Sequence, residues 1–123
     1  MKRKIRSDTA LSELKYKRIM LKVSGEALAG EAHRGLDFDV IHSVCEAIKQ
    51  CVDMGVQVGL MVGAGNFWRG VKDGADKMQR SHADAMGMLG TVMNSIAVAD
   101  ALSKHGVDAR VLSAVEMHKF CEY

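Results

Sequence analysis

Two short apolar runs, each ending at a glycine-marked turn and separated by a stretch of helical periodicity, constrain this chain more than any other feature. The first is Arg18-Ile19-Met20-Leu21-Lys22-Val23, followed by Ser24-Gly25-Glu26. The second is residues 56–62, followed by Gly63-Ala64-Gly65-Asn66-Phe67-Trp68-Arg69-Gly70. Short, mostly apolar runs of this length read as strands buried on both faces, the habit of parallel sheets. Between them Val40, Ile41, Val44, Ile48, Cys51 and Val52 recur at helical spacing. Asp37 or Asp39 caps that helix and Gly55 ends it. Residues 70–80 are polar and irregular. A second, longer helix is expected from Ser81 to His105, with Met86, Leu89, Val92, Met93, Ile96, Ala97, Ala99 and Leu102 as a wide apolar face. Residues 107–112 read as a third strand. The order β-α-β-α-β predicts an α/β fold with a mainly parallel sheet and right-handed crossovers. Only about ten residues follow the third strand, so the sheet is expected to be incomplete in this chain.

In such sheets ligands bind beyond the carboxyl ends of the strands, where both glycine turns lie. Glycines there let backbone N–H groups close on an anion, and Lys22 and Arg69 stand beside them. Phosphoryl transfer needs this kind of positioning and positive charge more than covalent chemistry. No G-x-x-x-x-G-K-[ST] run occurs, so the P-loop is excluded. Each residue also has a plainer reading. Lys22 at a strand end can snorkel to water, and Arg69 can be an ordinary loop residue. Asp84 can offset a helix dipole as well as accept ribose hydroxyls. Trp68 is either a packing anchor or a cover for a nucleotide or subunit contact.

Composition narrows the classes. The 123 residues are 48% apolar, enough to bury a core. The nine methionines are scattered and read as core filler. Residues 1–18 carry seven Lys/Arg against two Asp/Glu. This basic tail, residues 1–17, is read as a solvated terminus rather than a nucleic-acid or membrane element. It is too short and interrupted for a signal peptide, and no apolar run reads as a membrane span. Cys45, Cys51 and Cys121 form no C-x-x-C, which fits a reducing cytoplasm and argues against a disulfide framework or a metal site. Cys45 and Cys51 read as buried thiols, and His82 and His118 as isolated histidines.

Three motifs go beyond generic patterning. The run Tyr16–Leu28, the run Gly63–Gly70 and the run Ala83–Asn94 resemble, in order and spacing, those of the uridylate (UMP) kinase family within the amino acid kinase superfamily. The resemblance covers residues 16–123 and implies a three-layer αβα sandwich. It implies ATP-dependent phosphorylation of UMP to UDP in pyrimidine nucleotide synthesis, Mg2+ carried by the nucleotide, and a cytoplasmic homohexamer. By position, Lys22, Val23, Ser24 and Gly25 match the family's ATP-phosphate loop. Gly65 and Arg69 match further phosphate contacts, and Ala64 and Asp84 match UMP-binding positions. The run Gly30-Glu31-Ala32-His33-Arg34-Gly35 aligns with a loop linked to GTP activation, UTP being the other effector implied. Ala64 stands where the family has glycine, which costs on the order of 1 kcal/mol if φ there is positive. The family chain is about twice this length, so residues 18–123 resemble its UMP-side half. Alone, this half is expected to be inactive. The alternatives are a non-catalytic segment that assembles with complete subunits, or a kinase of the same fold acting on glutamate or carbamate.

Overall fold

A computed structural model describes residues 14–123. Residues 1–13, most of the basic tail, lie outside the described residues. Strand β1 (Arg18–Val23) pairs in parallel with β2 (Gln57–Val62), in a register that sets Arg18 opposite Gln57 and Val23 opposite Val62. Helix α1 (Gly25–Leu28) follows β1 directly, then a 3-10 turn (Gly30–Ala32) and helix α2 (Phe38–Asp53). A π-turn (Gly70–Gly74) and a second 3-10 turn (Ala75–Lys77) lead into helix α3 (Arg80–Lys104).

Local chemistry explains the ends of α2. Asp37 is the N-cap, its Oδ1 accepting the N–H groups of Asp39 and Val40 at 3.0 and 3.3 Å. Asp39 is therefore inside the helix. Gly55, at φ 91°, turns the chain back toward β2 at a backbone angle other residues rarely adopt.

The core lies between one sheet face and the two long helices. Ile41, Cys45 and Ile48 of α2 and Val98, Ala101 and Leu102 of α3 pack with Val62, and Val23, Val58 and Leu60 lie against them. Since side chains alternate across a strand, Met20, Lys22 and Met61 project from the opposite face. That face is open, with Met20 70% and Met61 55% exposed. The expectation of strands buried on both faces therefore fails. Helices cover one face here, and nothing among the described residues covers the other.

Two further expectations are corrected. Residues 107–112 form no strand; Leu112 makes only an isolated bridge to Glu122. A cavity of about 690 Å³, lined by Val58 and Leu60 of β2 and by Val107, Ala109 and Val111, lies between this segment and the strand. The wide apolar face expected of α3 is only partly buried: Leu102 is inside and Val92, Ala97 and Ala99 are half-buried. Ala83, Gly90, Asn94, Val98, Ala101 and Leu102 are buried, whereas Met86, Leu89, Met93 and Ile96 are exposed. Small residues face the core because the second glycine turn approaches α3 closely. For the same reasons methionine is not core filler: Met20, Met54, Met61, Met86, Met88 and Met93 are all exposed. At 25 residues α3 is long and apolar enough to satisfy a membrane-span criterion, contrary to the sequence reading. Its packing against α2 and the core marks it as a helix of this fold.

Cys45 is fully buried, its Sγ 3.8 Å from the Val98 carbonyl, and burial raises its thiol pKa. Cys51 is only half-buried. His82 and His118 are exposed, but His42 and His105 pair across α2 and the end of α3, Nδ1 to Nε2 at 3.0 Å. Their separation of 63 residues hides that contact from any local pattern.

Candidate functional site

The two glycine turns meet at the carboxyl end of the sheet, as the topology requires. The Gly63 N–H donates to the Val23 carbonyl at 3.0 Å, carrying the parallel ladder one step past β2. Gly25 then lies against the second turn so closely that a side chain cannot fit. A Cβ there would stand 2.6 Å from the Gly65 nitrogen and 2.8 Å from the Gly63 oxygen. Backbone on backbone leaves no flexible atom to yield, so glycine at position 25 is a steric requirement. Ser24 caps α1, its Oγ accepting the Ala27 N–H at 3.2 Å. The N–H groups of Ala64 and Gly65 donate to no protein acceptor among the described residues.

Ala64 does not adopt positive φ; among the described non-glycine residues only His33 and Ala75 do. The conditional strain penalty at this position is therefore absent. Its methyl lies against Gly90 of α3, where an added Cβ would come within 2.9 Å of it. The helix thus accommodates the extra carbon by having no side chain of its own.

Charge is arranged around these turns. Lys22 is exposed on the open sheet face and makes no ion pair among the described residues. Arg69 is about half exposed and its guanidinium pairs with Glu26 on the first turn of α1. Both side chains border Gly65, with the Arg69 Nη2 3.0 Å and the Glu26 Cγ 3.2 Å from where a Cβ would lie. Sequence reasoning missed Glu26, because only folding brings it to a residue 43 positions away.

Asp84 is not a helix cap. Gln79 occupies the N-cap of α3 without a side-chain bond, and both Asp84 oxygens accept from Arg80 Nε, at 3.0 and 3.2 Å. Gly70 passes so near that an added Cβ would lie 2.9 Å from Asp84 Oδ1. Trp68 is half-buried and its Nε1 donates to the Ala83 carbonyl at 2.9 Å, which ties the second turn to α3. The fold therefore joins Val23, Ser24, Gly25, Gly63, Ala64, Gly65 and Arg69 around one junction. Asp84 stands beside the Gly70 end of the second turn.

The segment 30–35 adjoins the same junction. Gly30, His33 and Gly35 all have φ between 60° and 70°. Gly35 is tied to the second turn in both directions: its N–H donates to the Asn66 carbonyl at 3.1 Å, and its carbonyl accepts from Asn66 Nδ2 at 2.8 Å. Glu31, Ala32, His33 and Arg34 are exposed.

Residues 17–122 match the Amino acid kinase family. Among solved structures, the chain is similar to a UMP kinase from Bacillus anthracis, at 29% identity and TM-score 0.81, over 88% of this chain and 45% of that one. It is also similar to a UMP kinase from Ureaplasma parvum, at 33% identity and TM-score 0.79, over 89% of this chain and 46% of that one. The chain thus spans a little under half the length of each.

Proposed function

Because this chain belongs to the amino acid kinase family, we propose that its joined glycine turns are the phosphate-handling part of a kinase that transfers the γ-phosphoryl group of ATP to UMP, forming UDP for pyrimidine nucleotide synthesis. The closure of Gly25 onto Gly63 and Gly65, with Arg69 at its edge, carries this reading. Such a junction offers N–H donors in fixed positions, and fixed donors stabilise phosphoryl charge without reorganising. In this reading Lys22 neutralises the moving phosphoryl group. Val23, Ser24, Gly25, Gly65 and Arg69 hold ATP phosphates. Ala64 and Asp84 contact UMP. Arg69 is shared between Glu26 and an incoming phosphate, so phosphate must compete with a carboxylate for the guanidinium. Magnesium enters on the nucleotide phosphates.

Residues 30–35 fit an effector segment, for GTP or UTP, because Gly35 is bonded directly to the second turn. The exposed Met86, Leu89, Met93 and Ile96 fit contact between subunits of a homo-oligomer, with the hexamer as the expected state. Cytoplasmic location is part of the same proposal.

Titration of the 15N-labelled protein with UMP, ATP and glutamate tests the substrate class. UMP and ATP are expected to move the amide signals of Gly25, Ala64 and Gly65 while glutamate leaves them in place. Glutamate alone moving them would assign another substrate, and no response to any of the three would overturn the phosphate reading.

A second reading is that these 123 residues by themselves assemble with complete subunits without catalysing. A coupled assay separates catalysis from assembly. No UMP-dependent ATP turnover is expected from the 123-residue chain, and clear UDP formation would refute that expectation.

A further inference from the structure

The two buried polar side chains of the described structure are Asn66 and Asn94, 3% and 0% exposed, and they bond to each other. Asn66 Nδ2 donates to Asn94 Oδ1 at 3.0 Å, and Asn94 Nδ2 donates to Asn66 Oδ1 at 2.7 Å. Each amide nitrogen uses its second hydrogen on a backbone carbonyl: Asn66 on Gly35 at 2.8 Å, Asn94 on Gly63 at 2.7 Å. Those carbonyls fix which way round both amides sit, because flipping either would set oxygen against oxygen. Asn66 Oδ1 also lies 2.5 Å from where a Cβ on Gly25 would be, so the pair abuts the first turn as well.

We infer that Asn66 and Asn94 are positioning residues, a buried amide clasp that fixes the Gly63–Gly65 turn against Gly25, α3 and the 30–35 segment. An apolar pair of similar volume would cost less desolvation but would not select one arrangement of the turn. The clasp occupies the Gly63 carbonyl and leaves the Ala64 and Gly65 N–H groups without protein acceptors among the described residues. Its role in phosphate binding rests on the reading of these turns as a phosphate site.

The test uses the whole 123-residue chain as wild type, Asn94→Ala, Asn66→Ala and Ile48→Val. The last thins the core two turns further along α2, beside Val52 and Val56, and serves as a stability control. Two quantities are read. One is amide hydrogen exchange at Gly35 and Gly63. The other is affinity for pyrophosphate, followed by the amide shifts of Gly25, Ala64 and Gly65. Both asparagine variants are expected to exchange about tenfold faster at Gly35 and Gly63 than the control, and to bind pyrophosphate about tenfold more weakly, the scale of one lost buried hydrogen bond. Exchange and affinity equal to the control would overturn the inference. Faster exchange with unchanged affinity would overturn it too, reducing the clasp to a structural element. If wild type itself shows no pyrophosphate shifts, the phosphate reading fails. Exchange alone then decides whether the clasp holds the turn, with no acceleration overturning it. If Asn94→Ala does not fold, Asn66→Ala, which leaves the Asn94–Gly63 bond available, carries the same comparison.

Discussion

The Ala64 methyl and the bare Cα of Gly90 are shape-matched, so Gly90→Ala tests the packing of the second turn directly. The new Cβ would lie 2.9 Å from the Ala64 Cβ, well inside the roughly 3.5–4.0 Å of an ordinary carbon contact. Gly90 sits within α3 at ordinary helical φ, so alanine by itself would gain up to about 1 kcal/mol of helix propensity. Overpacking a filled site costs about 1–3 kcal/mol. The clash therefore wins, and a net loss of about 1 kcal/mol is expected. Ala64→Gly removes one partly buried methyl and adds backbone freedom, and loses about 1 kcal/mol. The double variant has no clash and keeps the helical gain. It should be at least as stable as either single variant, with a coupling energy of about 1–3 kcal/mol. Urea unfolding of the four proteins, with equal m-values, measures the cycle. Additivity within about 0.5 kcal/mol would refute the contact.

Other consequences are checked as simply. Lys22→Ala should weaken pyrophosphate binding about tenfold with an unchanged melting temperature, whereas Glu26→Gln should tighten it by freeing Arg69; calorimetric titration decides both. Asp84→Asn breaks an exposed i,i+4 pair with Arg80 and should cost under about 0.5 kcal/mol of stability while weakening UMP binding; a large fall in melting temperature with UMP affinity intact would make it a structural residue. Burial raises the Cys45 thiol above its ordinary value of 9.0, so the unfolded chain releases this proton first as pH rises. Stability should hold below about pH 9 and fall above it, and urea midpoints at about pH 8 and about pH 10 should differ less in Cys45→Ala.

Much of the frame was legible because it is written in local patterns. Short, mostly apolar runs marked both strands, i/i+3/i+4 spacing marked both long helices, and Asp37 and Gly55 marked the ends of the first. The parallel order then placed both glycine turns at the carboxyl end of the sheet, which is where they lie. The motif resemblance carried the family. It did not carry burial. Strand composition cannot say which face has a covering layer, so Met20 and Met61 read as core and are exposed. The α3 stripe failed along its first half for a related reason: a turn that packs close selects Gly90 and Asn94 for the inside, although Met86 and Leu89 are the more apolar. A third strand at residues 107–112 needs a ladder partner as well as β-branched residues, and no ladder forms there.

Sequence by itself determined the two strands, the two long helices, their parallel order and the convergence of two glycine turns, because each follows from interactions between residues near in the chain or from topology. Only tertiary structure decided the meetings of distant residues. Glu26 reaches Arg69, His42 reaches His105, Ala64 rests on Gly90, and Asn66 bonds Asn94. None leaves a periodic signal, because close approach and pairing depend on where two separate segments are brought together. The residues around the candidate phosphate site were thus readable one by one, while the contacts that hold them in place were not.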